Sequence, residues 1–233
     1  MKLLLFDIDG TILKVKESLS KQVFADLIKK VFGQDIPEKL LPNFAGMTDL
    51  KIITDTAEII GITNEEIEKL LPLFWKEMIE VFNPLYNNTN VTLLPGITEL
   101  INYYHNSNDF QLGLLTGNLK DCAYMKLRPY NLENFFPFGA FGDENYDRNK
   151  LPSIAINRAN SYITKELFYN YNSLIIGDSP MDIMCAKSNN IKSLNVATGS
   201  YSKIQLNDFG SDYCFDDFND TNSVINKIEE LLK

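Results

Sequence analysis

The chain has 233 residues, of which 45% are hydrophobic and 23% are charged, and its formal net charge is −9. This composition is typical of a folded protein with a sizeable core and excludes a disordered chain. The acidic balance argues against a nucleic-acid partner, because no basic stripe is present to neutralise phosphates. A small anionic substrate remains possible, since a metal ion and one or two cations can dominate the field of a site.

The cysteine spacing and the first apolar run of the chain indicate the cellular compartment. Cys122, Cys185 and Cys214 have no close spacing, so they predict neither a zinc site nor a disulfide framework. Reduced thiols are typical of a cytoplasmic protein, which is our expectation. The first apolar run is too short for a secretory signal and no stretch approaches the length of a membrane span, so we expect no membrane partner. A monomer and a homodimer are both compatible with the sequence.

The chain opens on an apolar run, residues 3–6, which ends in Asp7 and Asp9 and is followed by Gly10 and Thr11. Such a run predicts a strand buried on both faces, as in a parallel sheet, whose carboxyl end is where such sheets bind ligands. If the backbone is extended there, the two carboxylates fall on the same side. They then repel each other unless a proton or a cation separates them, and oxygen ligands of this kind suit Mg²⁺.

Helical periodicity replaces the strand pattern after Thr11 and continues for about seventy residues. We predict one helix that ends before Gly33, a second over residues 49–60, and a third that begins at a capping box formed by Thr63 and Glu66. Pro72 lies inside the third helix and predicts a kink or a break there.

Several helices between two strands are too many for an ordinary crossover connection, which usually carries one. We therefore predict a small α-helical cap domain, residues 15–87, inserted after the first strand. The remaining residues, 1–14 and 88–233, would form the core domain, with hinges near residues 14–17 and 83–90.

The rest of the chain alternates strands with helices. Further strands are predicted over residues 110–115, 138–141, 173–176 and 193–197, and a last helix over residues 221–232. This alternation predicts an α/β core with a Rossmann-like, doubly wound parallel sheet.

Three of the predicted strands end in small polar residues: Asp7 with Asp9, Thr116 with Gly117 and Asn118, and Asp178 with Asp182. Taken singly, the second segment is better explained by an ordinary strand-to-helix turn, and the third by a capped helix start. In a parallel sheet, however, all three ends point the same way and converge on one crevice. The helix that follows the second segment also directs its free N–H groups there, which favours an anion. Together the segments predict an enzyme.

These motifs resemble the haloacid dehalogenase superfamily, in the branch of phosphoglycolate phosphatase and β-phosphoglucomutase, which carries a helical cap after the first strand. The resemblance implies that Asp7 attacks phosphorus and forms an aspartyl phosphate, that Asp9 is the general acid and base, and that Thr116 holds phosphoryl oxygens. It also implies a Mg²⁺ site built from four acids: Asp7, Asp9 through its backbone carbonyl, Asp178, and Asp182 behind them or through a water.

The family also places a Lys or Arg, often as Lys-Pro, ahead of the helix that precedes the fourth strand. This chain departs from that pattern, with Arg148 and Lys150 ahead of Pro152. We take Arg148 as the phosphate-binding cation, because the resemblance extends to related sequences in which a similar Arg-x-x-Leu-Pro stretch supplies an arginine. Lys150 is the alternative, since both side chains are long enough to reach the site.

Substrate contacts are predicted at two places. The core would contribute Gly10, Thr11, Gly117 and Asn118. The cap would contribute Gly46, Met47 and Thr48, in the turn of residues 46–49 where this subclass places its substrate-reading loop. A simple turn between two helices explains that segment equally well.

The predicted function is a Mg²⁺-dependent phosphatase for a small phosphorylated metabolite, similar to phosphoglycolate phosphatase. One alternative is a phosphomutase similar to β-phosphoglucomutase, which would need cap cations such as Lys39 or Lys51. Another is a non-enzymatic sensor of a phosphate ligand, which would be expected to have lost an acid, whereas Asp7 and Asp9 are both present. A dehalogenase is disfavoured because that branch lacks the second acid.

Overall fold

The chain alternates strands and helices around a six-stranded sheet, in a computed structural model that describes residues 1–16 and 20–233. In chain order the strands are β1 (Lys2–Phe6), β2 (Leu13–Val15), β3 (Val91–Leu93), β4 (Phe110–Leu115), β5 (Gly139–Ala140), β6 (Ser173–Gly177), β7 (Lys192–Val196) and β8 (Tyr213–Phe215). The α-helices are α1 (Ser20–Phe32), α2 (Asp49–Ile59), α3 (Asn64–Phe82), α4 (Ile97–His105), α5 (Lys120–Leu127), α6 (Leu151–Tyr162), α7 (Pro180–Ser188), α8 (Lys203–Asp208) and α9 (Thr221–Leu231). The large sheet is parallel throughout, in the order β5–β4–β1–β6–β7–β8, which confirms the predicted α/β class.

The first strand illustrates how apolar residues build both layers. Leu3, Leu4, Leu5 and Phe6 are all fully buried, because β1 lies between β4 and β6. Side chains alternate along a strand. Leu4 and Phe6 therefore join an apolar cluster with residues of α4 and α9, whereas Leu3 and Leu5 join one with residues of α6. Each such side chain contributes roughly 1.5–3 kcal/mol on burial. Helices thus cover both faces, as in a doubly wound sheet.

The order of the strands determines where a ligand can bind. The chain adds β4 and β5 on one side of β1 and then returns to add β6, β7 and β8 on the other. Open α/β sheets bind ligands at the carboxyl ends of the strands, where the strand order reverses. That reversal occurs at β1, whose carboxyl end leads into Asp7 and Asp9.

Helices α1, α2 and α3 form the helical insert that the sequence predicts after the first strand. They pack around an apolar cluster of their own, to which Phe24 and Phe74 belong. Helix α3 begins at the predicted capping box of Thr63 and Glu66 and continues through Pro72 without a break, because buried side chains on both sides of the proline hold it against the cluster. In the described ranges, no helix is both long enough and apolar enough to cross a membrane.

A two-stranded antiparallel ribbon, β2 with β3, joins the insert to the sheet. The sequence pattern does not predict this ribbon, because three residues are too few to establish a strand period. The predicted hinge at residues 14–17 overlaps β2, and the one at residues 83–90 ends where β3 begins. Glu17 of the first hinge lies outside the described residues. The assignment of residues 15–87 to a separate cap domain remains a proposal.

Candidate active site

Three carboxylates meet at the carboxyl ends of β1 and β6. Asp7 follows β1, Asp178 follows β6, and Asp182 lies in the first turn of α7. Each offers an oxygen that lies within 4.8 Å of the other two, and all three residues are buried. The convergence that the strand ends predict is therefore present for these three acids.

The surroundings of this cluster fit a divalent cation. Burial, opposed by Arg148 and reinforced by Asp182, raises the pKa of Asp7 to about 7. Burial and the charge of Asp7 also raise the pKa of Asp178 well above its ordinary value. A Cβ at Gly10 would lie only 2.3 Å from Oδ2 of Asp178, so only a bare backbone fits beside that carboxylate. Oxygen donors that repel each other suit Mg²⁺, and Asp7, Asp178 and Asp182 are the residues that would hold it.

Arg148 is the cation that contacts this cluster. It lies in a single turn of 3-10 helix before α6 and is 6% exposed. Its Nη2 donates to Oδ1 of Asp182 at 2.5 Å and lies 3.2 Å from Oδ1 of Asp7. Lys150, two residues further on, is exposed to solvent. The structure thus brings Arg148 to the acids and directs Lys150 to the surface.

A second polar network surrounds Asp9. Lys126, on α5, lies 2.6 Å from Oδ2 of Asp9 and donates to Oδ1 of Asn118 at 2.5 Å. Nδ2 of Asn118 donates to Oδ2 of Asp9 at 2.8 Å and to Oγ1 of Thr116 at 2.7 Å. Burial lowers the pKa of Lys126, but the charge and hydrogen bond of Asp9, together with the charge of Asp49, outweigh this effect and leave that pKa raised. Two donors therefore hold the Asp9 carboxylate in one orientation.

The turn before α2 attaches the insert to the sheet. The Asp49 N–H donates to the Gly117 carbonyl at 2.7 Å, and the Leu119 N–H donates to Oδ2 of Asp49 at 2.6 Å. A Cβ at Gly117 would lie 1.9 Å from the carbonyl oxygen of Met47, so this close approach requires glycine. The predicted substrate-reading turn therefore lies directly against the predicted phosphate-binding turn.

Gly46 and Thr48 of the same turn contact the sheet side through polar groups. The Gly46 carbonyl accepts a hydrogen bond from Nη1 of Arg148 at 3.0 Å. Oγ1 of Thr48 accepts the Lys51 N–H as the N-cap of α2 and donates to the Tyr146 carbonyl at 3.1 Å. The Thr48 hydroxyl is thus occupied by helix capping and docking.

A chamber of about 520 Å³ lies between the sheet and the insert. Most of the predicted site residues line it, namely Asp7, Asp9, Gly10, Gly46, Met47, Thr116, Gly117, Asn118, Arg148 and Asp178. Asp182 lies behind Arg148, fully buried. Thr11, Thr48 and Lys150 are not among the described residues that line the chamber. Thr11 is fully buried, and within residues 1–16 and 20–233 its hydroxyl has no hydrogen-bond partner.

The haloacid dehalogenase-like hydrolase family model matches residues 4–196, which is most of the chain. The chain belongs to this hydrolase family. A phosphoglycolate phosphatase from Colwellia psychrerythraea is 26% identical over 227 residues and covers 94% of each chain. A phosphoglycolate phosphatase from Pseudomonas fluorescens is 23% identical over 206 residues, which are 85% of this chain and 70% of that relative.

A solved structure with the same architecture is a β-phosphoglucomutase from Clostridium difficile. It matches with a TM-score of 0.70 at 19% identity, over 99% of this chain and 98% of that chain. This likeness establishes the shared fold. The predicted resemblance to this family, and to a branch with a helical insert after the first strand, is therefore confirmed.

Lys126 is the residue of this hydrolase site that the sequence analysis does not identify. It lies four positions after Cys122 on α5, so both side chains fall on the buried face of that helix. A lysine is rarely buried without a partner. A lysine on the inward face of the helix after Thr116 is therefore the sequence signal that points to it.

Proposed function

We propose that the protein is a Mg²⁺-dependent phosphatase that hydrolyses a small phosphorylated metabolite through an aspartyl phosphate on Asp7. The observation that carries this proposal is that Asp7, Asp9 and Asp178 line one chamber, with Arg148 beside them. The relatives named phosphoglycolate phosphatase support the hydrolysis of a phosphate monoester.

Asp7 and Asp9 carry the first half-reaction in this proposal. A carboxylate oxygen of Asp7 forms a bond to phosphorus while the bond from phosphorus to the ester oxygen breaks. Asp9 gives its proton to that oxygen, so the organic product leaves as an alcohol. Lys126 and Asn118 orient Asp9 for this transfer and stabilise the carboxylate that it becomes.

The second half-reaction returns the enzyme to its starting state. Asp9 accepts a proton from a water whose oxygen attacks phosphorus, and the bond from phosphorus to Asp7 breaks to release inorganic phosphate. Thr116 and Arg148 line the chamber and would contact the phosphoryl oxygens. Mg²⁺, held by Asp7, Asp178 and the backbone of Asp9 with Asp182 behind, would supply positive charge that offsets the repulsion between nucleophile and phosphate.

A phosphomutase is less well supported than a phosphatase. It would need cations on the insert to hold the second phosphate of a bis-phosphorylated sugar. Lys51 is paired with Asp55 at 3.0 Å and lies over the Tyr146 ring at 4.0 Å. Neither Lys51 nor Lys39 is among the described residues that line the chamber. Lys21 of α1 does line it, but it is exposed to solvent, where water and salt screen its charge. The two activities separate by product, since a mutase yields an isomerised sugar phosphate and a phosphatase yields free phosphate.

A panel of phosphorylated metabolites, assayed with Mg²⁺ for phosphate release, tests the proposed activity. We expect release from at least one compound, and no release after chelation of the metal. Tight binding of phosphate esters without turnover of any of them, an aryl phosphate included, would favour a phosphate-ligand sensor and contradict the proposal.

Metal binding should depend on pH. Because the folded-state pKa of Asp7 is raised from 3.8 to about 7, protons compete with Mg²⁺ below that pH. Without metal, the same shift means that the stability contributed by protonated Asp7 is fully present below pH 4 and is lost as pH rises through about 7. At about a hundred times its Kd, Mg²⁺ adds about 2.7 kcal/mol, or roughly 5–10 °C in Tm for a chain of this size.

Thermal melts with EDTA and with Mg²⁺, at pH 6 and pH 8, measure this dependence. We expect Mg²⁺ to raise Tm substantially at pH 8 and much less at pH 6. An Asp7→Asn variant, which lacks one of the two carboxyl groups with a raised pKa and keeps Asp178, is the control and should lose part of the difference. An equal or larger effect of Mg²⁺ at pH 6 in the wild type would contradict the metal assignment.

Two variants separate the candidate phosphate cations. Arg148→Lys keeps the charge but loses the planar fork, in which Nη2 reaches Asp7 and Asp182 while Nη1 donates to the Gly46 carbonyl. We expect it to lower kcat/KM about 100-fold or more. Lys150→Ala should stay within about twofold of wild type, because Lys150 is exposed. Steady-state kinetics on an aryl phosphate provide the measurement, and a large loss in Lys150→Ala alone would reverse the assignment.

A further inference from the structure

The chamber has two chemically different walls. Its sheet side carries the acids and cations described above, whereas most of the side chains that the insert contributes are apolar. Phe24, Ile52, Met78 and Phe82 line it and are each 4–5% exposed. Phe82 stacks on Tyr86, with ring centroids 5.2 Å apart and an interplanar angle of 10°. A phosphate ester held against Asp7 would therefore extend its organic part toward an apolar, partly aromatic wall.

The buried charges around this wall are unfavourable for a second anionic group. The two buried cations among the described lining residues are already paired, Lys126 with Asp9 and Arg148 with Asp7 and Asp182. The other two lining lysines, Lys14 and Lys21, are exposed to solvent, where water and salt screen their charge.

Asp49 adds a further negative charge on the insert side of the chamber. Its carboxylate accepts the Leu119 N–H, lines the chamber and lies close enough to Asp9 for the two to repel. Burial, partly offset by the Leu119 hydrogen bond and Lys126, raises the pKa of Asp49 to about 6. A carboxylate next to the ester oxygen of a substrate would meet this charge without a free buried cation to pair with.

We propose that the substrates are phosphate monoesters whose organic part next to the ester oxygen is uncharged and apolar, such as aryl-alkyl phosphates, and that esters of hydroxy acids such as phosphoglycolate are poor substrates. The inference rests on the proposed phosphatase function and specifies its substrate class. Each methylene that the wall removes from water strengthens binding about fourfold, whereas a carboxylate placed there loses hydration that nothing replaces. An engineered apolar cavity of about 150 Å³ takes benzene, so a chamber of about 520 Å³ has room for a ring beside the phosphate.

Three alkyl phosphates test the proposal: ethyl phosphate, 2-phenylethyl phosphate and phosphoglycolate. All three release poor leaving alcohols, so their demand on Asp9 is comparable and the comparison isolates the organic part. At pH 8 with Mg²⁺, we expect kcat/KM for 2-phenylethyl phosphate to exceed that for each of the other two at least about tenfold. A value for phosphoglycolate equal to or above that for 2-phenylethyl phosphate overturns the substrate class while leaving the phosphatase in place. Absence of turnover with all three and with an aryl phosphate overturns both.

Variants of the two walls sharpen the test, because ratios between substrates do not depend on the fraction of folded enzyme. Met78→Ala removes part of the apolar wall. It should lower the ratio of kcat/KM for 2-phenylethyl phosphate to kcat/KM for ethyl phosphate about fourfold or more. Met184→Ala is the matched control, since Met184 is 45% exposed on α7 and should leave the ratio unchanged. Asp49→Asn can still accept the Leu119 N–H. This variant should raise the ratio of kcat/KM for phosphoglycolate to kcat/KM for ethyl phosphate severalfold. If Met78→Ala and Asp49→Asn leave both ratios unchanged, the proposal is overturned.

Discussion

Replacing Asp7 with asparagine should abolish Mg²⁺-dependent hydrolysis of an artificial aryl phosphate, by at least about 10⁴-fold. The amide has the shape of the carboxylate but is no nucleophile, so no aspartyl phosphate can form. The fold should remain intact. Asp7 is buried with its pKa raised to about 7, so a neutral side chain removes a charge that the folded state tolerates poorly.

Steady-state assays and thermal melts of Asp7→Asn provide the measurement. Asp208→Asn, an exposed exchange at the end of α8, is the matched control and should retain wild-type rates. A folded Asp7→Asn protein that hydrolyses the aryl phosphate at the wild-type rate would refute the assignment of the nucleophile.

Replacing Asp9 with asparagine should slow both half-reactions, to an extent that depends on the leaving group. General acid–base catalysis by one side chain contributes about 10²–10⁴-fold. An alkyl phosphate needs the proton of Asp9 to release its alcohol, so it should lose the full factor in the first step. The leaving group of an aryl phosphate is a stable phenolate that needs no proton, so this substrate should still phosphorylate Asp7. The reaction should then stall, because the attacking water has lost its base.

Rapid-mixing assays separate the two half-reactions of Asp9→Asn. With the aryl phosphate we expect a burst of phenolate of up to one equivalent of enzyme, followed by slow turnover, and with the alkyl phosphate no burst. Full turnover of both substrates would remove Asp9 from acid–base catalysis.

The parts of the fold that sequence predicts best are those in which local pattern and tertiary burial agree. Leu3 to Phe6 form a continuous apolar run because β1 is covered on both faces. The excess of helices before β4 predicts the insert, since no ordinary crossover needs them. The ribbon of β2 and β3, and the strand β8, are only three residues long each, so no period distinguishes them from loops.

The residues of the candidate site likewise differ in how well the sequence predicts them. Asp7 and Asp178 are predictable because each follows a buried strand in a parallel sheet, and Asp182 because it lies in the first turn of the helix after Asp178. The structure brings the three together. Lys126 can be recognised from sequence only as a lysine on the inward face of α5, because its contact with Asp9 depends on how that helix packs.

The choice between Arg148 and Lys150, and the contacts of the turn of residues 46–49, depend on backbone geometry that the sequence does not provide. Arg148 and Lys150 differ by two positions in one turn of 3-10 helix, so only the direction of that turn sends the first to the acids and the second to solvent. Thr48 is predicted to contact substrate, but its hydroxyl accepts a hydrogen bond from the Lys51 N–H and donates one to the Tyr146 carbonyl. Its role in substrate binding stays a prediction.

The most direct test of the central claim, that Asp7 takes up a phosphoryl group, is to identify the residue that carries it. The Asp9→Asn protein is mixed with an aryl phosphate and Mg²⁺ and quenched in acid at the end of the phenolate burst. It should then carry one phosphoryl group. Peptide mass spectrometry should place that group on Asp7. Phosphate release by the wild type, with no covalent phosphoryl in the variant or with the group on another residue, would contradict the account.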